Sequence, residues 1–183
     1  MNKGKHPIVI AIASVSGGGK TTIVSHLNSS LPNVKALFFD DYEFDGPDDF
    51  IEWMNNGCNP NEWNLSPLIK DLKMLLMEPL DYILLDFPYA YKHSKTSEYI
   101  DFAVFIDTPL DIAMARRVTR DFKDSSVKNI LLDMNNYIRR GRIGYLNMLE
   151  TIKPNSEFIV DGTLSISEIV NSITLKLKEK KRK

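Results

Sequence analysis

At 183 residues, 43% apolar and 26% charged, the chain is long enough for a full hydrophobic core, and one domain over 1–183 is expected. A net charge of −1 excludes the global field that recruits nucleic acid or a membrane surface, so neither is an expected partner. A single cysteine, Cys58, excludes an internal disulfide, fits a reducing cytoplasm and has no paired base to make it a nucleophile; no apolar stretch reaches membrane-spanning length.

Two lysines, Lys3 and Lys5, precede the short apolar run PIVIAIA (7–13), which reads as a core strand rather than a signal peptide. The strand runs into SVSGGGKTT (14–22), a glycine-rich turn that opens a helix. Such a turn aims backbone N–H groups at phosphate oxygens, and the helix N-terminus adds its positive dipole. Ser14, Ser16, Gly17, Gly18, Gly19, Lys20, Thr21 and Thr22 are therefore the candidate nucleoside triphosphate contacts. Lys20 is placed on the β- and γ-phosphates and Thr21 on Mg²⁺. Ser14 stands where the motif G-x-x-x-x-G-K-[ST] has glycine, at a strand exit where a small residue suffices.

The first helix, 21–30, is stopped by Pro32. VKALFF (34–39) is a strand that ends in Asp40-Asp41. SPLIKDLKMLLM (66–77) is a helix with Ser66 as its cap and Pro67 in its first turn. DYILLDF (81–87) and FAVFID (102–107) are near-continuous apolar runs, as buried parallel strands are. Thr108-Pro109 opens a helix to about Phe122. One apolar helical phase runs through 126–153, with a kink or break expected at Gly141 and Gly144. EFIVDG (157–162) is the fifth strand, and Ser165 with Glu168 forms a capping box for a closing helix over 165–180. The basic tail 176–183 reads as a solvated helix end. Strands alternating with helices specify an α/β fold with a five-stranded parallel sheet flanked by helices, which with this loop is a P-loop NTPase fold.

Ligands of open α/β sheets lie at the carboxyl ends of the strands. Asp86, ending YILLD, is placed there as the second Mg²⁺ carboxylate, the alternative being a turn cap. Asp40 is placed beside the phosphate loop as a base for a substrate hydroxyl, with Asp41 as its competitor and a turn-starting Asp pair as the alternative. Arg116 and Arg120 share a helix face and are expected to point one way, over the migrating phosphoryl; otherwise they form a solvated face. Arg139, Arg140 and Arg142 form a second cluster of undecided role. Tyr42, Phe44, Trp53 and Trp63 either stack on a planar acceptor or fill a satellite core. Tyr89, Tyr91, Lys92 and His93 are candidates for the acceptor pocket, although a loop histidine is by default a surface residue. Asp161-Gly162 either borders the adenine through its backbone or makes a plain turn.

Taken together these segments resemble the uridine kinase family, relatives of nicotinamide riboside kinase, phosphoribulokinase and bacterial pantothenate kinase. SVSGGGKTT is similar to the family's phosphate loop, FFDDYEFDGPDDF to its segment after strand two, ILLDFPYAY to its strand three, and DTPLDIAMARRVTRD to the helix that leads into its lid. The resemblance implies a base at Asp40, a sugar-hydroxyl ligand at Asp45, an acidic strand-three position at Asp86, and lid roles for Arg116, Arg117 and Arg120. It implies an acceptor-binding insert near 41–65 and a short lid near 116–128. The chain departs from the family in the four residues between Asp40 and Asp45, and in FKDSS (122–126) where the family's lid motif stands. The activity implied is transfer of the γ-phosphoryl of ATP, with Mg²⁺, to a hydroxyl of a nucleoside (uridine or cytidine-like) or nucleoside-like metabolite. A nucleotide or coenzyme-precursor kinase, drawing cations from Lys92, Arg139 and Arg140, and a non-catalytic nucleotide switch are the alternatives. Monomer and homo-oligomer are not distinguished.

Overall fold

The computed structural model describes residues 6–181; Lys3, Lys5 and the last two residues of the basic tail lie outside them. Strand β1 (Ile8–Ala13) leads into helix α1 (Lys20–Ser30), β2 (Val34–Phe38), α2 (Phe50–Asn55), α3 (Ser66–Leu75) and β3 (Tyr82–Asp86). The short α4 (Ser94–Ser97), β4 (Phe102–Asp107), α5 (Leu110–Asp121) and α6 (Val127–Asn136) follow. Then come α7 (Arg142–Asn147), β5 (Phe158–Asp161) and α8 (Ile166–Lys181).

All strand pairings are parallel, in the order β2-β3-β1-β4-β5. The strands read as continuous apolar runs because both faces of the sheet are covered. Val9, Ala11 and Ala13 of β1 face α3 through Leu68 and Leu72. Their alternates Ile10 and Ile12 face α1 and α8 through Ile23, Leu27, Ile169 and Ile173. This is the α/β, five-stranded parallel architecture expected from the sequence. Among the described residues no helix is long and apolar enough to cross a membrane.

The ends of the elements refine the sequence reading. Ser165 and Glu168 close the expected capping box, each main-chain N–H donating to the other's side chain. Ser66 is not the cap of α3. The helix begins at Ser66, and Asn64 Oδ1 takes both its N–H and its hydroxyl. The sequence reading had no helix at α2, although its N-terminus is well specified: Asp49 accepts from the N–H groups of Ile51 and Glu52. The long helical phase does not break at Gly141 and Gly144. The helical phase is modulated by two π-turns, Tyr137–Gly141, which ends on the first of these glycines, and Met148–Ile152, on either side of α7.

Candidate active site

The chain leaves β1 at Ala13 and turns through Ser14–Gly19 into α1. Gly17 has φ 78°, and a Cβ there would lie 2.0 Å from the Ala113 carbonyl oxygen of α5. Only glycine meets both conditions. Gly18 explains the serine at position 14: a Cβ on Gly18 would lie 2.7 Å from Ser14 Cβ, so the space one glycine gives up is taken by the Ser14 side chain. Ser14 is buried, and its hydroxyl donates to the Val15 carbonyl. Thr108, just past β4, donates its hydroxyl to the Gly18 carbonyl at 2.9 Å and ties the loop to the neighbouring strand. The first-turn amides of α1 remain available for an anion, as at any helix start. Gly17→Ala should therefore abolish measurable nucleotide binding, whereas a loop that tolerated it would bind nucleotide like the parent in calorimetry.

Lys20, Thr21 and Asp86 converge at the mouth of this loop. Ile12 of β1 pairs with Asp86 in the sheet register, which sets the carboxylate beside the loop. Thr21 Oγ1 donates to Asp86 Oδ2 at 2.5 Å, and Lys20 Nζ lies 3.2 Å from Oδ1. Asp86 is 2% exposed, and its Oδ1 has the ammonium nearby but takes no aligned hydrogen bond. A buried carboxylate with a spare oxygen, next to a threonine hydroxyl, suits a hard divalent cation that completes its shell with water and phosphate oxygens. Among the described residues no group of three or more His, Cys, Asp or Glu could hold a metal ion.

Asp40 lies one strand further from the loop than expected. β3 intervenes between β1 and β2, and Phe38 of β2 pairs with Asp86. Asp40 follows in a 3₁₀ turn, Phe39–Asp41, at the same carboxyl edge, exposed, as is Asp41. Arg116 and Arg120 do not converge. Arg116 donates to the Gly162 carbonyl at 3.2 Å, and the two line a groove with Gly18, Gly19 and Thr22. Arg120 pairs with Asp121 next to it, and the field of Asp40 reaches it. Helical spacing placed both residues on one face, but local partners decide where the guanidinium groups go. Arg117, between them, is the arginine packed on the loop, its Cβ 3.2 Å from where a Gly17 Cβ would be. It forms an ion pair with Asp133 of α6. Asp161 turns outward to Thr163, whose N–H and hydroxyl hold its carboxyl below the usual carboxylate range; the Gly162 main chain alone borders the groove. Arg139, Arg140 and Arg142 are exposed, and Arg140 lines a smaller cavity that also contains Ser16 and Arg117.

Next to the loop lies a cavity of about 620 Å³ between the α2 segment and α7. Ser16, Trp53, Tyr89, Lys92 and Tyr145 line it. Trp53, Met54 and Cys58 form a satellite core with Trp63, so both tryptophans are packing residues, and Trp53 also presents a face to the cavity. The Cys58 thiol is buried, which pushes its pKa up, away from nucleophilic use. Tyr42 points elsewhere: its hydroxyl donates to Asp71 at 2.9 Å and its ring stacks on Phe44. Asp45 is exposed, and its carbonyl accepts from Asn64. Tyr91 donates to Glu157.

His93 is neither at the surface nor in the cavity. It is 2% exposed, with Nε2 3.2 Å from the Trp63 carbonyl and Nδ1 3.2 Å from Thr96 Oγ1. Burial lowers its pKa from 6.5, an effect Lys95 reinforces and the Trp63 carbonyl opposes. The unfolded chain therefore takes up this proton first on acidification. The His93 contribution to stability is complete above pH 6.5 and declines as pH falls toward the lowered folded value. Tm measured from pH 8 to 5 should fall less steeply for His93→Asn than for the parent, from a lower starting point; parallel curves would count against this role.

Tyr145 lies within the apolar phase of 126–153, where periodicity marks a packing residue and no sequence signal marks a site. It lines both cavities together with Ser16 and approaches the Ser16 side chain.

No family model matches the chain. A uridine kinase of Borreliella burgdorferi (strain ZS7) is 26% identical over 178 residues, covering 83% of this chain and 85% of the relative. The chain resembles the uridine kinase-like P-loop kinases. Among solved structures, TT1252 from Thermus thermophilus superposes with a TM-score of 0.53 at 16% identity, covering 96% of this chain and 98% of the other. The deoxyadenosine kinase of M. mycoides, solved with bound dATP, superposes with a TM-score of 0.51 at 14% identity, covering 93% and 99%. These likenesses show the fold, a five-stranded parallel α/β P-loop fold, over most of the chain.

Proposed function

We propose that this protein is an ATP-dependent kinase that transfers the γ-phosphoryl group to a hydroxyl of a nucleoside or nucleoside-like metabolite. The observation that carries the reading is the Lys20–Asp86–Thr21 cluster at the mouth of a phosphate loop whose Ser16 also lines a cavity of about 620 Å³. Donor and acceptor then meet on either side of one short turn, which is what in-line displacement requires. The likeness to proteins named uridine kinase supports the acceptor class.

In this reading the loop amides and Lys20 bind the triphosphate, releasing Lys20 from Asp86. Thr21 and Asp86 would hold Mg²⁺, which supplies charge neutralisation at the phosphates when bound. The groove between Arg116 and Gly162 receives the donor base. Asp40, at the same carboxyl edge but outside the cavity lining, accepts the proton of an acceptor hydroxyl that reaches out of the cavity, as the hydroxyl oxygen bonds to the γ-phosphorus and the β–γ bridging P–O bond breaks. Arg117, braced by Asp133, places positive charge behind the loop, and Arg120 sits toward Asp40.

A screen of Mg²⁺·ATP consumption over nucleosides, ribosides and pantothenate tests the reading. At least one acceptor should raise turnover far above the acceptor-free rate. Tight Mg²⁺·ATP binding with no acceptor response would turn the assignment toward a nucleotide-dependent switch.

A further inference from the structure

The cavity beside the loop has an unusual polar inventory. Its walls are Phe50, Trp53 and Met54 on one side and Tyr145, Met148 and Ile152 on the other. No aspartate, glutamate, histidine or arginine lines it, and Lys92 is its one charged residue.

Three asparagines line it, but their side-chain oxygens are already engaged. Asn59 Oδ1 accepts from the Asn61 N–H at 3.1 Å and the Asn61 side chain at 3.2 Å. Asn61 Oδ1 accepts from the Ser94 N–H at 2.8 Å. Asn147 Oδ1 accepts from the Thr151 hydroxyl at 3.2 Å, while its amide nitrogen donates to the Gly57 carbonyl at 3.1 Å. Among the donors that remain, two side chains stand out. Among the described residues, the Lys92 ammonium has no ion pair and the Tyr89 hydroxyl no hydrogen bond, and both line the cavity.

A bare polyol fits this inventory poorly. A buried hydroxyl hydrogen needs an acceptor, and no carboxylate lines the cavity; the Asn59, Asn61 and Asn147 oxygens each already accept a hydrogen bond, which leaves mainly the neutral hydroxyls of Ser16, Tyr145 and Thr151. An ionised carboxylate or phosphate is the converse, a group that only accepts, and it would use both spare donors.

Resting on the phosphotransfer reading above, we infer that the acceptor carries an anionic group that docks on Lys92 and Tyr89, attached to a flat or aliphatic body held between Trp53 and Tyr145. Lys92 and Tyr89 are thus the specificity-determining residues of the acceptor site.

Calorimetric titration of the full chain with matched probes tests this. Pantothenate against pantothenol, and 6-carboxyuridine against uridine, differ by one carboxylate; uridine 5′-monophosphate against uridine supplies the phosphate arm. At low salt the anionic member of at least one pair should bind about tenfold more tightly, with the difference shrinking as salt rises. Lys92→Gln should remove most of that preference, and Tyr89→Phe, which keeps the ring, should reduce it severalfold, both with Tm near the parent's. The arm that responds identifies the anion as carboxylate or phosphate. Neutral probes binding as well as their anionic twins, binding by none of the probes, or a preference that survives Lys92→Gln would overturn the inference. Phosphorylation of uridine with a KM indifferent to Lys92 would overturn it too and leave the kinase reading standing. Absence of ATP consumption with every acceptor would instead defeat the kinase reading.

Discussion

Asp86→Asn should lower kcat at least about a hundredfold while leaving the ligand-free protein about as stable as its parent. The two halves of this expectation have one cause. Asp86 is a buried carboxylate whose Oδ1 lacks an aligned donor, and only Lys20 at 3.2 Å balances its charge. Such a group is costly to the resting fold and is kept for what it does with ligand bound. An asparagine oxygen can still accept from Thr21, and Lys20, on the first turn of α1, can swing its ammonium to water. What is lost is the negative charge next to the Thr21 hydroxyl that a divalent cation needs. Turnover titrated with Mg²⁺ and Tm without ligand measure the two halves. Undiminished Mg²⁺-dependent turnover would move the metal carboxylate elsewhere.

Asp40→Asn should reduce kcat by about 10²–10⁴ with nucleotide affinity unchanged. Asp40 stands on the far side of β3 from the phosphate loop, so removing its charge leaves the triphosphate cradle intact. Asp41 shares its 3₁₀ turn and is the internal control. If Asp41→Asn carries the loss instead, the proton goes to the neighbouring carboxylate. Equal, small effects from both would place proton removal outside this turn.

The parallel sheet was legible because its cause is local: β-branched runs between turn signals can be buried strands and little else. The phosphate loop was legible because a left-handed Gly17 and a Gly18 whose Cβ position is crowded by Ser14 are demands that only glycine meets. The strand order was not legible from those runs, and it moved Asp40 one position from the loop. The insert was hidden for a different reason. Its shape depends on contacts between distant residues, such as His93 with the Trp63 carbonyl and Tyr42 with Asp71, and periodicity says nothing about them. α2 could have been found from Asp49 followed by Glu52, since a capping aspartate at that spacing starts a helix. The arginines of α5 show the limit of face-counting. Spacing put Arg116 and Arg120 together, and the Gly162 carbonyl and Asp121 drew them apart.

The chain has two tryptophans, and both stand in one small cluster, Trp53 edge-on to Trp63 with ring centroids 5.8 Å apart. All of the indole fluorescence thus originates beside the acceptor cavity, and none of it beside the groove between Arg116 and Gly162. Under the proposed function the two tryptophans are an optical probe for one ligand of the two, and emission excited near the red edge should follow acceptor occupancy in real time with ATP already in place.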